Sequence, residues 1–485
     1  MTLEIKNNLV WVGKKDGDLQ HFHGLDYPTN EGFSHNSYLI KEEKTVLVDT
    51  VWSPYAQEYV EELERVIPLE KIDYIISNHA EIDRSGALPA LLDRIPGTPI
   101  YCTAAGAEAL AGMYHQAWNF QIVKTGDSLD LGRNKSLIFL ETPMLHWPDS
   151  MMTYLSGDGI LFSSDLFGQD FSSKQLFNDL VDPELLYRES MKYYANTLTP
   201  FNPLISAKIA ELLDTELAIN MVCPANGVIW RDHPLQIIQR YQKWATGYRE
   251  NRITLVYDTQ RNSTAQMAAA IHEGIEQADG EVAIKLFDLS EADREEILTE
   301  IFRSKGLLVG SPTVHVGMLP QVAALIEAIS GLRFPNKQAA AFGSYGWSGE
   351  AVDKINDRLS EAGFTITPGI QIPWKPDEAA LELCRKFGRD IAKQWLFNEP
   401  ATPGTGRTSK QTDLDPSTPY RCWACGWVYD PAKGLPEQGI PPGTPWEEVP
   451  DDMQCPVCFL NKNGFDPIAP AEAQNSIRDS ENMWN

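Results

Sequence analysis

Two cysteine pairs near the C-terminal end constrain the fold of this chain more than any other feature of its sequence. Cys422 and Cys425 form one C-x-x-C pair, and Cys455 and Cys458 form a second pair, with 29 residues between the two. Four thiolates on two short loops predict a tetrahedral metal site, which suits iron or zinc. A module this small buries too little apolar surface to fold alone, so we expect the metal to be structural as well.

The length and charge of the chain limit the classes of protein to which it can belong. At roughly 150 residues per domain, 485 residues suggest about three domains. The net charge of −26 repels phosphate backbones, so nucleic-acid binding is not expected. No apolar run approaches the roughly 20 residues that span a bilayer, and the first residues lack a signal-peptide pattern. We therefore expect a cytoplasmic protein with no membrane partner, and the odd count of seven cysteines favours a reducing compartment over a disulfide framework.

Changes in sequence pattern divide the chain into four parts. Residues 1–250 combine short β-rich runs, helical spacings and loops with His, Asp and Glu, which predicts an α/β sandwich with a site at the strand ends. Residues 251–397 alternate between strand and helix patterns, as in a doubly wound parallel sheet. Residues 398–419 carry almost no apolar side chains and predict a flexible linker. Residues 420–485 form the small acidic module that contains the cysteine pairs.

Histidine and acidic residues follow apolar runs in the first part. His79, Glu81 and Asp83 lie in one short loop, and His146 and Asp165 follow apolar runs further along the chain. Side chains at the ends of strands can converge on a metal ion. Taken alone, each histidine is more often a hydrogen-bonded structural residue, so the prediction of a metal site depends on all of them together.

Three loops of the second part predict a ligand site at the carboxyl ends of its strands. They are rich in hydroxyl, amide and glycine residues, which bind phosphate through side chains and backbone N–H groups beside a helix N-terminus. The absence of G-x-G-x-x-G and G-x-x-x-x-G-K argues against a nicotinamide dinucleotide and against ATP. The predicted binding residues are Thr259, Asn262, Ser263, Thr264, Ser311, Thr313, Ser344, Tyr345, Gly346 and Trp347. Trp347 either flanks a planar ring or is an ordinary surface aromatic.

Two of the parts resemble known electron-transfer domains. The cysteine module closely resembles rubredoxin in its Cys455-Pro456-x-Cys458 sequence, in residues 429–434 and in its aromatic residues. This resemblance implies a mononuclear iron that transfers single electrons, whereas the cysteine spacing alone leaves a zinc ribbon open. Residues 251–397 resemble a flavodoxin, which implies FMN; the alternative is the same fold without a cofactor.

All the parts in this order resemble the flavorubredoxins, a type within the flavodiiron family. The resemblance covers nearly the whole chain, including residues 141–155 and 341–351. It implies a metallo-β-lactamase-like αββα sandwich, a flavodoxin-like doubly wound parallel sheet and a small rubredoxin domain. It also implies reduction of nitric oxide to nitrous oxide, with O2 as a secondary substrate and with electrons from an NADH-dependent flavorubredoxin reductase. A homodimer or homotetramer is implied too, with the FMN of one chain beside the iron site of its neighbour.

The resemblance also assigns iron ligands, residue by residue. The ligands of the first non-haem iron would be His79, Glu81, His146 and Asp165. Asp165 would bridge to a second iron, which Asp83 would also bind. Such an oxygen-rich ligand set suits iron better than zinc.

Two positions depart from the family's pattern, and both concern the second iron. Arg84 and Asn226 stand where the family carries histidines; a guanidinium has no lone pair to donate, and an amide offers only a weak carbonyl oxygen. Arg84 would instead pair with Asp83 or Glu81 and partly replace the lost positive charge. Three occupancies stay open, namely two irons, one iron or none. The resemblance further places His23 in the pocket lining, with a structural role as the alternative.

The sequence therefore supports more than one function. The first hypothesis is a nitric oxide reductase of the flavodiiron type, in which electrons pass from rubredoxin iron to FMN and then to the non-haem iron site. The second is an electron-transfer or partner protein whose metal site is mono-iron or metal-free and catalytically silent. The third hypothesis is a hydrolase, and it rests only on fold-level analogy with the lactamases.

Overall fold

The computed structural model of the protein describes residues 3–22, 29–215, 217–278, 282–397 and 415–469. The predicted pocket residue His23, most of the predicted linker and the last part of the predicted rubredoxin module lie outside these ranges. Among the helices that are described, none has the length and apolar character needed to cross a membrane.

The first part of the chain begins with a mixed β-sheet. Its strands and the strands of a neighbouring ribbon are β1 Leu3–Lys6, β2 Leu9–Trp11, β3 Lys14–Asp16, β4 Phe33–His35, β5 Tyr38–Lys41, β6 Thr45–Val48, β7 Tyr74–Ile76, β8 Ile100–Cys102 and β9 Phe120–Ile122. The sheet has the order β1-β2-β5-β6-β7-β8-β9, and β3 pairs with β4 separately. Helices on its outer side are α1 Ala56–Val66, α2 Ile82–Ser85, α3 Leu88–Arg94 and α4 Ala104–Tyr114.

A second sheet packs face to face on the first. Its strands are β10 Ser128–Gly132, β11 Lys135–Glu141, β12 Met151–Leu155, β13 Ile160–Ser164 and β14 Met221–Pro224, in that spatial order. All its pairings are antiparallel except β13 with β14, which is parallel. The helices that follow or interrupt these strands are α5 Pro183–Tyr193, α6 Asn202–Asp214 and α7 Leu235–Ala245.

Alternating apolar residues create the core between the two sheets. Tyr38 and Val46 on the first sheet and Phe139 and Phe162 on the second belong to one buried cluster. The Tyr38 and Phe162 rings lie 5.2 Å apart between centroids. Because successive side chains of a strand point to opposite faces, the same strands also supply Leu39 to the outer core beneath the helices. The predicted αββα sandwich is confirmed.

The second part of the chain is a parallel sheet with helices on both faces. Its strands are β15 Glu250–Tyr257, β16 Ala283–Asp288, β17 Ser304–Gly310, β18 Gln338–Tyr345, β19 Thr365–Ile366 and β20 Ile370–Pro373. The order is β16-β15-β17-β18-β19, and β20 also pairs with β18. Its helices are α8 Ser263–Glu276, α9 Arg294–Arg303, α10 Pro320–Leu332, α11 Glu350–Glu361 and α12 Glu378–Ala392. This order confirms the flavodoxin-like topology, in which ligands bind where the strand order reverses.

The first two parts share a buried core. Tyr194 lies in a π-helical turn, Tyr194–Leu198, and its ring centroid is 5.6 Å from that of Phe302 at the end of α9. Both belong to the same apolar cluster as Tyr241 and Trp244. The αββα sandwich, which we call the metal-site domain because it carries the predicted metal ligands, and the flavodoxin-like domain are therefore fixed to one another by aromatic packing.

The cysteine module has a small sheet of its own. Its strands are β21 Tyr420–Cys422, β22 Val428–Tyr429 and β23 Phe465–Pro467, in the order β22-β21-β23. The Tyr420 and Trp446 rings stack with centroids 4.3 Å apart beside the cysteines. The aromatic residues thus form a shell around the four-cysteine site.

Two glycines allow α8 and α12 to pack closely on one face of the parallel sheet. A Cβ atom built on Gly388 would lie 2.2 Å from the Ile271 carbonyl oxygen, and one on Gly274 would lie 2.0 Å from the Arg385 carbonyl oxygen. Real Cβ atoms do not approach backbone oxygens so closely. The glycines are therefore required by packing.

We predict that Gly388→Ala lowers the free energy of unfolding of the flavodoxin-like domain by about 1–3 kcal/mol, because the added methyl group forces the two helices apart. Urea denaturation of the full chain measures this loss. Gly331→Ala is the matched control, since Gly331 is also helical but has open space around its Cβ position. Equal stability of the two variants would contradict the packing explanation.

Candidate metal centre and electron-transfer sites

The predicted metal ligands of the first part meet at one edge of the sandwich. His79 follows β7, Glu81 precedes α2, His146 lies in the turn between β11 and β12, and Asp165 directly follows β13. One ligand atom from each of these four side chains lies within 4.8 Å of the others. The structure therefore brings together residues that are 86 positions apart in the sequence.

The distances between these groups define a compact donor cluster. The Asp165 Oδ2 atom lies 3.4 Å from His79 Nε2 and 3.3 Å from His146 Nε2. The Glu81 Oε2 atom lies 3.2 Å from His79 Nε2 and 3.7 Å from His146 Nε2. Two imidazoles and two carboxylates that converge in this way offer four donors to one ion. Nitrogen and oxygen donors of this kind suit a non-haem iron.

A further acid, Asp149, fixes the orientation of His79. Its Oδ2 atom lies 3.0 Å from His79 Nδ1 and accepts a hydrogen bond from the Ala80 backbone N–H at 2.6 Å. Burial favours a neutral ring, but the carboxylates of Asp149 and Asp165 raise the pKa of His79 well above its ordinary value. A carboxylate behind a metal-binding histidine sets the ring orientation and strengthens the ligand. The sequence-based assignment did not include Asp149, although it lies three residues after His146 in the same strand-end loop.

The guanidinium of Arg84 lies directly beside this cluster. Its Nη1 atom is 2.6 Å from Asp83 Oδ2, and its Nη2 and Nε atoms are 2.8 and 2.9 Å from Asp165 Oδ1. All three side chains are buried, with Arg84 only 3% exposed. The structure thus shows Arg84 paired with Asp83, as one of the two predicted alternatives, and with Asp165 rather than Glu81.

The electrostatics follow from this arrangement. Burial alone would raise the pKa of Asp165, but the charges of Arg84 and His79 hold it well below its usual range. The carboxylates of Asp83 and Asp165 raise the pKa of Arg84, although burial alone would lower it. The guanidinium is therefore a permanent positive charge between two carboxylates.

Asn226 lines a cavity of about 350 Å³ that the metal-site residues also line. Its Nδ2 atom donates a hydrogen bond of 3.0 Å to Asp170 Oδ1. Burial, together with the nearby carboxylate of Glu295, raises the pKa of Asp170 to about 7. Glu295 belongs to α9, so the cavity wall includes a residue of the flavodoxin-like domain.

The residues present fit one metal ion but not two. His79, Glu81, His146 and Asp165 each place a donor atom within 4.8 Å of the others. On the other side of Asp165, the space is taken by a cation that cannot ligate. Asp83 is not part of the four-residue donor cluster, since it faces Arg84.

The four predicted cysteines of the C-terminal module also converge. Their sulfur atoms lie within 4.8 Å of one another, with Cys422 Sγ 3.5 Å from Cys458 Sγ and Cys425 Sγ 3.4 Å from Cys455 Sγ. Sulfur atoms bonded to one another would be about 2.0 Å apart, so these are unlinked thiols. The spacing fits four thiolates around one tetrahedral metal ion.

The predicted flavin loops lie together at the carboxyl ends of β15, β17 and β18. Asn262 has φ +61° and begins α8, so the N–H groups of that helix face the loop. The Thr264 and Ser344 hydroxyls are 3.3 Å apart, and the Thr313 backbone N–H donates to the Ser344 carbonyl at 2.9 Å. The remaining predicted residues are carried by these same loops: Thr259, Ser263, Ser311, Tyr345, Gly346 and Trp347.

Two features of these loops fit a planar phosphate-bearing cofactor. The Thr259 hydroxyl is buried with no hydrogen-bond partner among the described residues, as expected of a group that awaits a ligand. Trp347 and Trp374 are 90% and 66% exposed. Such exposure is unusual for large aromatic side chains unless they contact a ligand, here the planar ring of a cofactor. Trp374 was absent from the sequence-based assignment because it follows β20 without a polar loop signature, yet its backbone N–H donates to the Tyr345 carbonyl at 2.6 Å.

Comparison with known families divides the chain in the same way. A model described as the ODP family beta lactamase matches residues 33–227. A flavodoxin model matches residues 255–388, and a rubredoxin model matches residues 419–465. These matches agree with the sandwich, the doubly wound sheet and the four-cysteine module.

Full-length relatives decide the family. An anaerobic nitric oxide reductase flavorubredoxin of Escherichia coli O1:K1 / APEC is 51% identical over 476 residues, which cover 97% of this chain and 99% of the relative. This chain belongs to the flavorubredoxin family. A flavorubredoxin of the same description from Klebsiella pneumoniae subsp. pneumoniae is 50% identical, with the same coverage of both chains.

Solved flavodiiron structures share the fold of the first two domains of this flavorubredoxin. The rubredoxin oxygen:oxidoreductase of Desulfovibrio gigas has a TM-score of 0.78 and 34% identity, covering 81% of this chain and 98% of its own. The flavodiiron protein of Giardia intestinalis has a TM-score of 0.78 and 30% identity, covering 82% of this chain and 97% of its own. The predicted family and fold class are confirmed.

The buried ion pair generates a prediction about stability. We expect Arg84→Gln to lower the unfolding free energy of the metal-free first domain by about 3–5 kcal/mol, because two buried carboxylates lose their cation. Urea unfolding followed by tryptophan fluorescence measures the change.

Arg94→Gln is the control for this experiment. Arg94 pairs with Glu64 at 2.7 Å, but both side chains are nearly half exposed. Losing an exposed pair of this kind costs less than about 1 kcal/mol. If Arg84→Gln is no more destabilising than Arg94→Gln, the guanidinium does not balance the buried carboxylates.

Proposed function

We propose that this flavorubredoxin reduces nitric oxide to nitrous oxide, with O2 as a secondary substrate. The observation that carries the proposal is the convergence of four nitrogen and oxygen donors on one cavity in a chain that also contains rubredoxin and flavodoxin domains. Relatives 50–51% identical along almost their whole length are named as anaerobic nitric oxide reductases. Two molecules of NO, two electrons and two protons give one N2O and one water.

The chain's own residues divide the work among the three sites. When bound, the rubredoxin iron and FMN supply single electrons, and the non-haem iron binds the gas. Residues Cys422, Cys425, Cys455 and Cys458 hold the rubredoxin iron, while His79, Glu81, His146 and Asp165 hold the non-haem iron. Thr259 and the N-terminus of α8 would hold the FMN phosphate, and Trp347 and Trp374 would cover its ring.

The rubredoxin module packs against both preceding domains. Its Trp423 ring lies 4.6 Å from the guanidinium of Arg333, at the end of α10 in the flavodoxin-like domain, and Asp466 Oδ2 lies 3.3 Å from Arg333 Nη2. Phe201 and Met144 of the first domain belong to the same apolar cluster as the rubredoxin core. Met144 is two residues before His146, so the module adjoins the loop that carries a non-haem iron ligand.

This packing supports transfer of electrons between chains. In the head-to-tail homodimer that we propose, the FMN of one chain lies beside the iron site of its neighbour. A rubredoxin module docked beside its own chain's iron site would then face the neighbour's FMN. A homotetramer of two such dimers preserves the same contact.

The electron donor that we propose is an NADH-dependent flavorubredoxin reductase. The rubredoxin module is acidic, so a basic surface on the reductase would complement it. A cytoplasmic location, inferred from the sequence, stays a prediction.

A second candidate function is an electron-transfer or partner protein with a silent metal site. The observation that favours it is the Arg84 guanidinium beside Asp165, at the place where a second ion would share that carboxylate. Coupling two NO molecules is most readily explained by two adjacent metal ions. This candidate therefore predicts flavin turnover without N2O.

Anaerobic assay of the full chain with NADH and the reductase distinguishes these functions. We expect NO consumption with one N2O formed per two NO, at a higher rate than O2 consumption under air. Rapid reduction of FMN without N2O would contradict the proposed reaction and favour the electron-transfer protein.

Cys458→Ala provides the control for the electron route. Without the rubredoxin iron, NADH-driven N2O formation should be lost, while direct chemical reduction of the flavin should restore it. Full NADH-driven activity in this variant would show that electrons do not pass through the rubredoxin module.

The docking contact makes a separate prediction. Arg333→Glu places a like charge opposite Asp466 and removes the cation from the Trp423 ring, each worth roughly 0.5–1 kcal/mol. We expect FMN reduction by the reduced rubredoxin site to slow by about three- to tenfold in stopped-flow measurements at low salt.

Charge restoration tests whether this effect is specific. Adding Asp466→Arg to Arg333→Glu should recover most of the lost rate, because the pair is re-formed with reversed charges. Arg389→Glu, which alters an exposed ion pair with Glu382 on α12, should leave the rate unchanged. A rate unaffected by Arg333→Glu would show that this contact does not position the module for electron transfer.

A further inference from the structure

The two oxygens of Asp165 face different chemical environments. The Oδ2 atom lies 3.3–3.4 Å from the two imidazole nitrogens of His79 and His146. The Oδ1 atom accepts two contacts from the Arg84 guanidinium, at 2.8 and 2.9 Å. A carboxylate that bridges two metal ions would use one oxygen for each, so Arg84 takes the place of one of the two ions.

Arg84 and a second metal ion cannot occupy this place together. A metal ion would bind a carboxylate oxygen at about 2.0–2.2 Å. The guanidinium nitrogens already contact oxygens of both Asp83 and Asp165 at 2.6–2.9 Å, and these carboxylates would be the ligands of the second ion. The guanidinium has no lone pair with which to compensate for their loss.

Moving the guanidinium aside is also unfavourable. Arg84 is 3% exposed, and its neighbours in the cavity wall include the Phe33 ring, whose centroid is 6.0 Å from the guanidinium carbon. Leaving both carboxylates would place an unpaired cation in a buried site. Asn226, on the same cavity wall, has its amide nitrogen engaged with Asp170 and offers only an amide oxygen to an ion.

We propose that this centre holds a single iron, bound by His79, Glu81, His146 and Asp165, and that the Arg84 guanidinium serves as the fixed cation of the adjacent position. Arg84 is among the residues that line the cavity, so its positive charge lies beside the space where a small ligand would bind. A guanidinium supplies positive charge but cannot donate electrons to a bound ligand. The inference deepens the proposed function, because it rests on the same cavity being the reaction site.

Iron content of the full chain tests the inference directly. Protein prepared anaerobically from iron-replete cells should contain two irons and one FMN per chain. Mössbauer spectroscopy should divide the iron equally between a tetrahedral sulfur site and a nitrogen and oxygen site, and the second should show no coupling to another iron. Three irons per chain with a coupled pair, or one iron confined to the sulfur site, would overturn the proposal.

Two variants extend the test. Arg84→His combined with Asn226→His introduces two imidazoles in place of two groups that are poor ligands for iron. We expect total iron to rise from two to three per chain. Arg84→Lys keeps a cation without a lone pair and should leave the total at two. A rise to three in the lysine variant, or no rise in a folded double-histidine variant, would contradict the assignment of Arg84 to the metal's place.

These measurements separate this inference from the proposed reaction. Two irons without N2O formation would sustain the single-iron centre and contradict nitric oxide reduction. Three irons with N2O formation would do the reverse. Arg94→His is the matched surface control, because Arg94 forms an exposed pair with Glu64, neither residue belongs to the donor cluster, and the change should not alter the iron content.

Discussion

The carboxylate of Asp165 is the group on which the candidate metal centre depends. One of its oxygens faces two imidazoles, and the other receives the Arg84 guanidinium. A buried carboxylate is costly unless it is paired, and here a histidine pair and an arginine share that task. The position of Asp165 at the end of β13 therefore sets both the iron site and its cationic neighbour.

The rest of the structure supports this group through rigid elements. The two sheets fix the strand ends, and Asp149 behind His79 fixes the ring that faces Asp165. Aromatic packing of Tyr194 on Phe302 fixes the flavodoxin-like domain to the sandwich, so the cavity wall can include Glu295 of that domain. Electron delivery and gas binding are thus built on one continuous core, and the rubredoxin module is held against it by the Arg333–Asp466 pair and by apolar contacts with Met144 and Phe201.

Much of this architecture could be predicted from the sequence, because it depends on local periodicity and on close spacing. The three apolar residues that follow Thr45 in β6, Thr45–Val48, and the two C-x-x-C pairs are signals of this kind. The start of α8 at Ser263 follows from the left-handed conformation of Asn262, which apolar periodicity does not reveal. The contact between Arg84 and Asp165 joins residues 81 positions apart, and local sequence does not encode such a pairing.

The most direct test is a crystal structure of the iron-loaded protein with anomalous diffraction recorded at the iron edge. The single-iron account predicts one peak within the cysteine module and one among His79, Glu81, His146 and Asp165, with the Arg84 guanidinium still between its two carboxylates. A further peak on the Asp83 side of Asp165, with Arg84 displaced, would contradict it.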